Sequence, residues 1–269
     1  MSTYGAQKLP EQKCTKLTNN CLKCYYSIMK KILVSHRGAC TYFQENTLEA
    51  FEKAIRLNAD MIEFDVRRAQ NNLFVVYHDE SIAEKPIKDL AYDDICQFTR
   101  LKVPRLDEVL KLARGRIKLD IEIKEEGYEK EVVNFILEFL KEDEFVITSF
   151  NDNSLKIIKE VFPKISTGLI LGKSNPKNPF RTRVSELFPF ERCRKINVDF
   201  IAPHWRLLKL GFLRRARKRK LPVFVWTVNE VDLIWKFLRN PRIAGIITDK
   251  IETAVQLKEN SQIPGKKEE

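Results

Sequence analysis

The chain has three histidines, and each follows a short run of β-type residues. His36 stands in "VSHRG" beside Arg37, His78 in "VVYHD" beside Asp79, and His204 in "APHW". Between the first two lies "MIEFDVR", with Glu63 and Asp65 two residues apart. Further on, "KLDIEIK" places Asp120, Glu122 and Lys124 at the same spacing. Side chains two apart on a strand share a face, so each run presents its charges to one side. Carboxylates side by side in an apolar interior do not all stay ionised without a counter-charge. A divalent cation held by oxygen ligands would supply it. Two histidines, an arginine, three acids and a lysine on one rim point to hard-metal chemistry on an anion, with imidazoles to give and take protons.

These residues meet only if the ends of several strands converge. From residue 31 onward, short β-rich runs alternate with amphipathic helix patterns. The strand candidates are 31–35, 61–67, 117–124, 145–149, 167–171, 199–203, 223–228 and 245–248, with a further extended run at 74–77. Helix patterns lie between them. "TLEAFEKAIRLN" carries Leu48, Phe51, Ala54 and Ile55 at helical spacing behind Thr47 as N-cap, and "NDNSLKIIKEVFP" opens on the capping types Asn151 and Asp152. Eight strands alternating with helices predict an α/β fold, a closed (β/α)8 TIM barrel. An open doubly wound sheet is the alternative, but no Gly-x-Gly-x-x-Gly follows any strand and the chain has only nine glycines. Barrel active sites lie at the carboxyl ends of the strands. The polar residues above fall there, as do Phe150 after the fourth run and His204 after the sixth. His204 reads either as a substrate contact or as a structural rim residue. The Pro-, Asn- and Arg-rich stretch after the fifth run reads as an excursion over the mouth, or a lid.

The barrel is expected over 31–260. Residues 1–30 read as a poorly ordered or partly helical extension, and 261–269 as a charged flexible tail. The extension carries Cys14, Cys21 and Cys24. A structural zinc site needs four ligands and no fourth is nearby, so they read as thiols. With 43% hydrophobic residues the chain can build a large core. No uncharged apolar run is long enough to span a bilayer, and the polar N-terminus lacks the apolar region of a secretory signal, so a cytoplasmic protein is expected. The net charge of +11 fits anionic partners. Its densest run, "RRARKRK" at 214–220, reads as a solvated helix face or as a peripheral contact with an anionic membrane. No aromatic residues interleave with it, so no nucleic acid is expected.

The stretch "SHRGACTYFQENTLEAFEKAIRLNADMIEFDVRRAQNNLFVVYHD" resembles the opening signature of the glycerophosphodiester phosphodiesterases. "LDIEIK", "VFVWTVNE" and "GIITD" resemble that family's later blocks in the same order, and the likeness runs from about residue 32 to 257. The resemblance implies a barrel of the phospholipase C-like phosphodiesterase type that hydrolyses small glycerophosphodiesters to glycerol 3-phosphate and an alcohol. It implies His36 and His78 as the acid–base pair and Glu63, Asp65 and Glu122 as ligands of one divalent cation, Mg²⁺ or Ca²⁺, with Mn²⁺ a third candidate. It further implies Arg37 and Lys124 at the phosphate, Trp226 lining the substrate pocket, and Glu45 and Asn46 supporting the first loop. The sequence departs from the pattern in three places. Gln44 stands where members usually carry proline, "RRAQNNLF" replaces the usual hairpin with Asn71 and Asn72 to make the turn, and the segment after Asp79 is short. That last departure weakens narrow glycerophosphodiester specificity, and a lysophospholipase D on the same barrel is an alternative, with the Pro- and Phe-containing excursion at 175–190 as the apolar channel for its acyl chain. A catalytically inactive barrel that binds membrane or nucleic acid is a second, against which all the matched site residues are retained. Oligomeric state is not fixed by any of these residues.

Overall fold

In the structure, a computed structural model, residues 31–261 are described apart from 174, 175 and 177. The three cysteines of the extension, the rest of residues 1–30 and the tail from 262 onward lie outside the described residues. Eight parallel strands follow the expected order. They are β1 (Ile32–His36), β2 (Met61–Arg68), β3 (Lys118–Ile123), β4 (Phe145–Ser149), β5 (Ser166–Leu171), β6 (Phe200–Pro203), β7 (Phe224–Val225) and β8 (Gly245–Thr248). They pair in the circular order β7-β8-β1-β2-β3-β4-β5-β6. The seam between β6 and β7 is closed by two parallel bridges, Ile201 with Val223 and His204 with Trp226. The sheet is therefore a barrel and not an open doubly wound sheet.

The seam explains why β7 is shorter than the expected 223–228. Ile201 N donates to Pro222 O at 3.0 Å and Trp205 N to Trp226 O at 2.9 Å. The rung between them would need an N–H at position 203, and Pro203 has none. The ladder is thus reduced to separate bridges on either side of the proline.

Alternation along the strands builds two apolar layers. Ile62, Phe64 and Val66 of β2 and Leu119, Ile121 and Ile123 of β3 pack outward against the helices. Inside the barrel, Val34, Met61, Ile170, Ala202 and Ile247 form a second cluster. At its amino end the barrel is stoppered by the rings of Phe200 and Phe224, with centroids 4.9 Å apart. Glycine makes room for both: a Cβ on Gly168 would lie 2.2 Å from Phe200, and one on Gly245 would lie 2.4 Å from Phe224. With the floor plugged, the open space lies at the carboxyl end.

The local signals hold. Thr47 Oγ1 caps helix Leu48–Arg56 by accepting from Ala50 N at 3.3 Å, and Asn151 caps Asp152–Val161 by accepting from Asn153 N at 2.9 Å. Asn71 and Asn72 turn the chain with φ of 57° and 58°, which asparagine tolerates. The segment after Asp79 is compact but structured. It forms the hairpin Ser81–Ile82 with Lys85–Pro86 and the helix Tyr92–Thr99, over a small cluster that includes Val75, Ile82, Ile87 and Ile95. The stretch after β5 differs from the expected cover over the mouth. It forms helices Pro179–Leu187 and Phe190–Ile196, and the second packs against helix Asp152–Val161 in the outer ring. Among its described residues only Lys173 lines the central cavity.

Candidate active site

The site begins with a backbone requirement at the end of β1. Arg37 and Gly38 both take left-handed conformations, φ 54° and 83°. At Gly38 a Cβ would meet Ala50 at 2.8 Å, so only glycine fits. Arg37 is held in this uncommon conformation by its own N–H, which donates to Glu63 O at 2.8 Å and lies 3.1 Å from Glu63 Oε2. The corner aims His36 and the Arg37 guanidinium at the carboxyl end of β2.

Strand register does the rest. His36 pairs with Glu63 across β1 and β2, Glu63 with Asp120 and Asp65 with Glu122 across β2 and β3. Oxygens of Glu63, Asp65 and Glu122 lie within 4.8 Å of one another, and all three residues are buried. Asp65 is the best paired. It receives Lys124 Nζ at 3.0 Å and Asn46 Nδ2 at 2.8 Å, with Arg37 Nε 3.2 Å away. That Nε makes no hydrogen bond, so its proton points away from the carboxylate. Burial pushes the Asp65 carboxyl up, but Lys124 and Arg37 outweigh it and hold the group well below the usual carboxylate range.

The neighbouring acids go the other way. Burial, then Asp65 and Glu122, push Glu63 far up. Burial also raises Glu122, although Lys124 Nζ sits 2.7 Å from it. Asp120 is pushed up to about 7, chiefly by burial, while accepting from Thr148 Oγ1 at 2.7 Å. Four buried carboxyls thus crowd together, with Arg37 and Lys124 as the cations in direct contact with them and Arg67 and Lys173 farther along the cavity lining. Both cations are affected in turn. Burial alone would lower them, but Asp65 and Glu63 around Arg37, and Glu122 and Asp65 around Lys124, raise them.

The two rim histidines have carboxylate partners. His36 Nδ1 lies 2.6 Å from Asp249 Oδ1, at the end of β8, and its Nε2 faces Glu63 Oε2 at 3.9 Å. Asp249 is held below the usual range, because the hydrogen bond from His36 and its charge outweigh burial. Asn229 Nδ2 donates to the other oxygen of Asp249. An ionised carboxylate only accepts, so Nδ1 of His36 donates to Asp249 and Nε2 is presented to the cavity. His78 Nδ1 lies 2.8 Å from Asp79 Oδ1, and its carbonyl accepts from Arg67 Nε at 2.9 Å and Nη2 at 2.6 Å. Burial and then Lys124 lower the His78 imidazole below its ordinary value.

Together these groups line a cavity of about 460 Å³. One wall is charged, with His36, Arg37, Glu63, His78, Glu122 and Lys124. The other is apolar, with Phe150, Ile170, Ala202, Trp226 and Ile247. Phe150 meets Trp226 edge-on at 5.8 Å, and Trp226 is fixed by Nε1 donating to Ala202 O at 2.7 Å. Asp65 lies beneath the charged wall. Glu45 braces Arg37 at 2.7 Å, and Asn46, itself at φ 57°, supports Asp65. His204 does not line the cavity. It stacks on Trp205 and meets Trp226 edge-on at the seam. Sequence reasoning passed over Asp249, Asn229 and Arg67. A signal existed for the first, since Asp249 ends the run "GIITD" and so reaches the same rim. The Asn229 and Arg67 contacts depend on loops that meet only in the folded chain.

The family model described as the glycerophosphoryl diester phosphodiesterase family matches residues 36–253. A glycerophosphodiester phosphodiesterase of Caldanaerobacter subterraneus is 27% identical, over 85% of this chain and 98% of its own. A crystal structure of a Thermotoga maritima glycerophosphodiester phosphodiesterase superposes with a TM-score of 0.67 at 29% identity, covering 84% of this chain and 98% of that one. The Oleispira antarctica phosphodiesterase, solved in complex with the product sn-glycerol-3-phosphate, shares the fold with a TM-score of 0.72 at 19% identity, covering 88% and 99%.

Proposed function

The chain belongs to the glycerophosphoryl diester phosphodiesterase family of enzymes, and we propose that it hydrolyses glycerophosphodiesters to glycerol 3-phosphate and an alcohol with a divalent cation and the imidazoles of His36 and His78. The observation that carries this reading is the buried carboxylate trio set beside two imidazoles, a guanidinium and an ammonium at one cavity wall. Glu63, Asp65 and Glu122 would hold the cation. Their oxygens are close enough to share one ion, they are hard donors suited to Mg²⁺, Ca²⁺ or Mn²⁺, and Glu63 and Glu122 are raised first by burial and then by neighbouring carboxylates, which a cation would offset. When bound, such an ion stabilises negative charge developing on the phosphoryl group.

The chain's own groups bind and move protons. Arg37 and Lys124 take the phosphate oxygens, which gain charge as the nucleophile arrives. His36, fixed by Asp249, and His78, fixed by Asp79, each turn Nε2 toward the substrate. One deprotonates the nucleophile and the other protonates the leaving oxygen. The nucleophile is water or the neighbouring hydroxyl of the glycerol, the second route passing through a cyclic phosphate that water then opens. The apolar wall receives the esterified alcohol.

The test is release of glycerol 3-phosphate from glycerophosphocholine, with and without EDTA, followed by addition of Mg²⁺, Ca²⁺ or Mn²⁺. Activity should vanish with chelation and return with at least one ion. Activity indifferent to EDTA would sink the metal assignment. The apolar wall also favours a second reading, a lysophospholipase D, with the acyl chain against Phe150, Ile170 and Trp226. A higher kcat/KM on lysophosphatidylcholine than on glycerophosphocholine would select it.

A further inference from the structure

The charge of the chain is not spread evenly. Residues 178–220 hold 13 Lys and Arg against three acids, a net +10 of the chain's +11. The three acids are already engaged. Glu186 is buried, accepts from Gly172 N and Lys173 N at 2.8 and 2.9 Å, and pairs with Arg183 at 2.6 Å. Glu191 pairs with Arg194 at 2.6 Å and Asp199 with Lys159 at 2.9 Å. Most of the cations therefore meet solvent without a local counter-charge.

The same segment carries an apolar ridge. Phe180, Val184 and Phe188 recur every four residues along and just past helix Pro179–Leu187, which puts them on one face. They are 84%, 45% and 53% exposed. Leu210, in the loop after β6, is 69% exposed and has φ 49°. A leucine in the left-handed region with its side chain in water is unfavourable in both respects. Arg215 joins the two pieces. It donates to Leu187 O at 2.8 Å and to Leu210 O, and its guanidinium lies 4.6 Å over the Phe188 ring. Both pieces leave from the carboxyl ends of β5 and β6, so the ridge shares the cavity's end of the barrel, on the side of the apolar wall.

We propose that this ridge docks the protein on an anionic lipid bilayer. Phe180, Val184, Phe188 and Leu210 enter the boundary between headgroups and acyl chains, and the exposed Arg181, Arg206, Lys209 and Arg214 pair with anionic headgroups. Apolar residues rimmed by cations suit that boundary. A single-stranded nucleic acid would call for flat rings to stack on, and Val184 and Leu210 offer none. Docked this way, the cavity opens toward the lipid surface. The inference rests on the exposed face and not on the reaction assigned above.

The experiment is flotation of the full-length protein with vesicles of phosphatidylcholine alone or mixed with phosphatidylglycerol. Wild type should float with the mixed vesicles and release as salt rises. Phe180→Asp with Phe188→Asp should weaken binding by about tenfold or more, and so should Leu210→Asp alone. Arg206→Glu with Lys209→Glu should weaken it by a similar factor, since each cation near a charged surface is worth about fivefold. All variants should keep the wild-type unfolding temperature and hydrolysis of soluble glycerophosphocholine. Wild type that ignores the mixed vesicles, or variants that float as well as wild type, would overturn the proposal. So would binding to single-stranded DNA but not to vesicles, or variants altered only in self-association.

Discussion

The two halves of the barrel rim contrast sharply. From β1 to β3 the rim is charged, with His36, Arg37, Glu63, Asp65, Glu122 and Lys124 all from those three strands and their ends. From β4 to β8 it is mainly apolar, built on Phe150, Ile170, Ala202, Trp226 and Ile247, with Lys173 after β5 and Asp249 after β8 as its charged members. One half can bind and activate a phosphate; the other offers chiefly shape and burial, apart from Asp249, which reaches across the β8–β1 join to hold His36. The contrast teaches that chemistry and selectivity are assigned to different strands. Changes in the first half, or in Asp249, should therefore lower turnover, and changes in the apolar wall should redirect it.

The largest effect should follow loss of an imidazole. His36→Ala and His78→Ala should each lower kcat by about 10²–10⁴, the usual contribution of a general acid or base, without changing the unfolding midpoint. Near-wild-type turnover in both would break the contrast outright. Asp249→Asn should cost less, about tenfold to a hundredfold. It leaves His36 present but replaces a carboxylate that accepts from both His36 and Asn229 with an amide that has one accepting oxygen and one donating nitrogen, so the tautomer of His36 is no longer fixed. Turnover should fall with KM little changed, as expected when alignment and not binding is lost. On the apolar side, Trp226→Ala should raise KM about tenfold for substrates with a bulky alcohol, as expected for one hydrophobic contact, while kcat stays within a few-fold. If Trp226→Ala instead removed turnover as the histidine variants do, the two halves would not be separable.

How far these assignments could be read beforehand follows the same division. The charged half was visible in the chain because strand alternation forces Glu63 with Asp65, and Glu122 with Lys124, onto one face, whatever the tertiary details. The eight strands were visible for a similar reason, since buried parallel strands are short apolar runs between helix patterns. What stayed hidden depends on closure. Pro203 shortens β7 only because β6 lies beside it at the seam. Asp249 reaches Nδ1 of His36 only because β8 pairs with β1. The stretch after β5 takes a course that composition does not reveal, because polar, proline-rich sequence marks an excursion but not its direction. Helix Phe190–Ile196 returns to the outer ring through Phe190, Cys193 and Ile196, three buried residues at helical spacing.

A finer test addresses the join between the halves, where β8 meets β1. Cys40 lies in the first loop, and its thiol is pushed up to about 12, first by burial and then by the charge of Asp249. The thiolate is the reactive form. At pH 8 Cys40 then holds more than about a thousandfold less thiolate than free cysteine, whose thiol ionises near pH 8.5, and the greater nucleophilicity of its less acidic thiolate offsets part of this, so iodoacetamide should alkylate it about a hundredfold more slowly. Its rate should keep rising with pH well past the point where free cysteine levels off. The sign is fixed by the cause: a buried thiol beside a carboxylate keeps its proton, so the gap in rate is full at and below pH 8 and closes as the pH rises past the point where free cysteine levels off. Asp249→Asn removes the negative charge but leaves the burial. The variant should therefore react faster than wild type at pH 8 while staying slower than free cysteine. Mass spectrometry of the Cys40 peptide over time gives both rates. An unchanged rate in Asp249→Asn would mean that the carboxylate does not reach the first loop, and the loss of turnover in that variant would need another cause than the misalignment of His36.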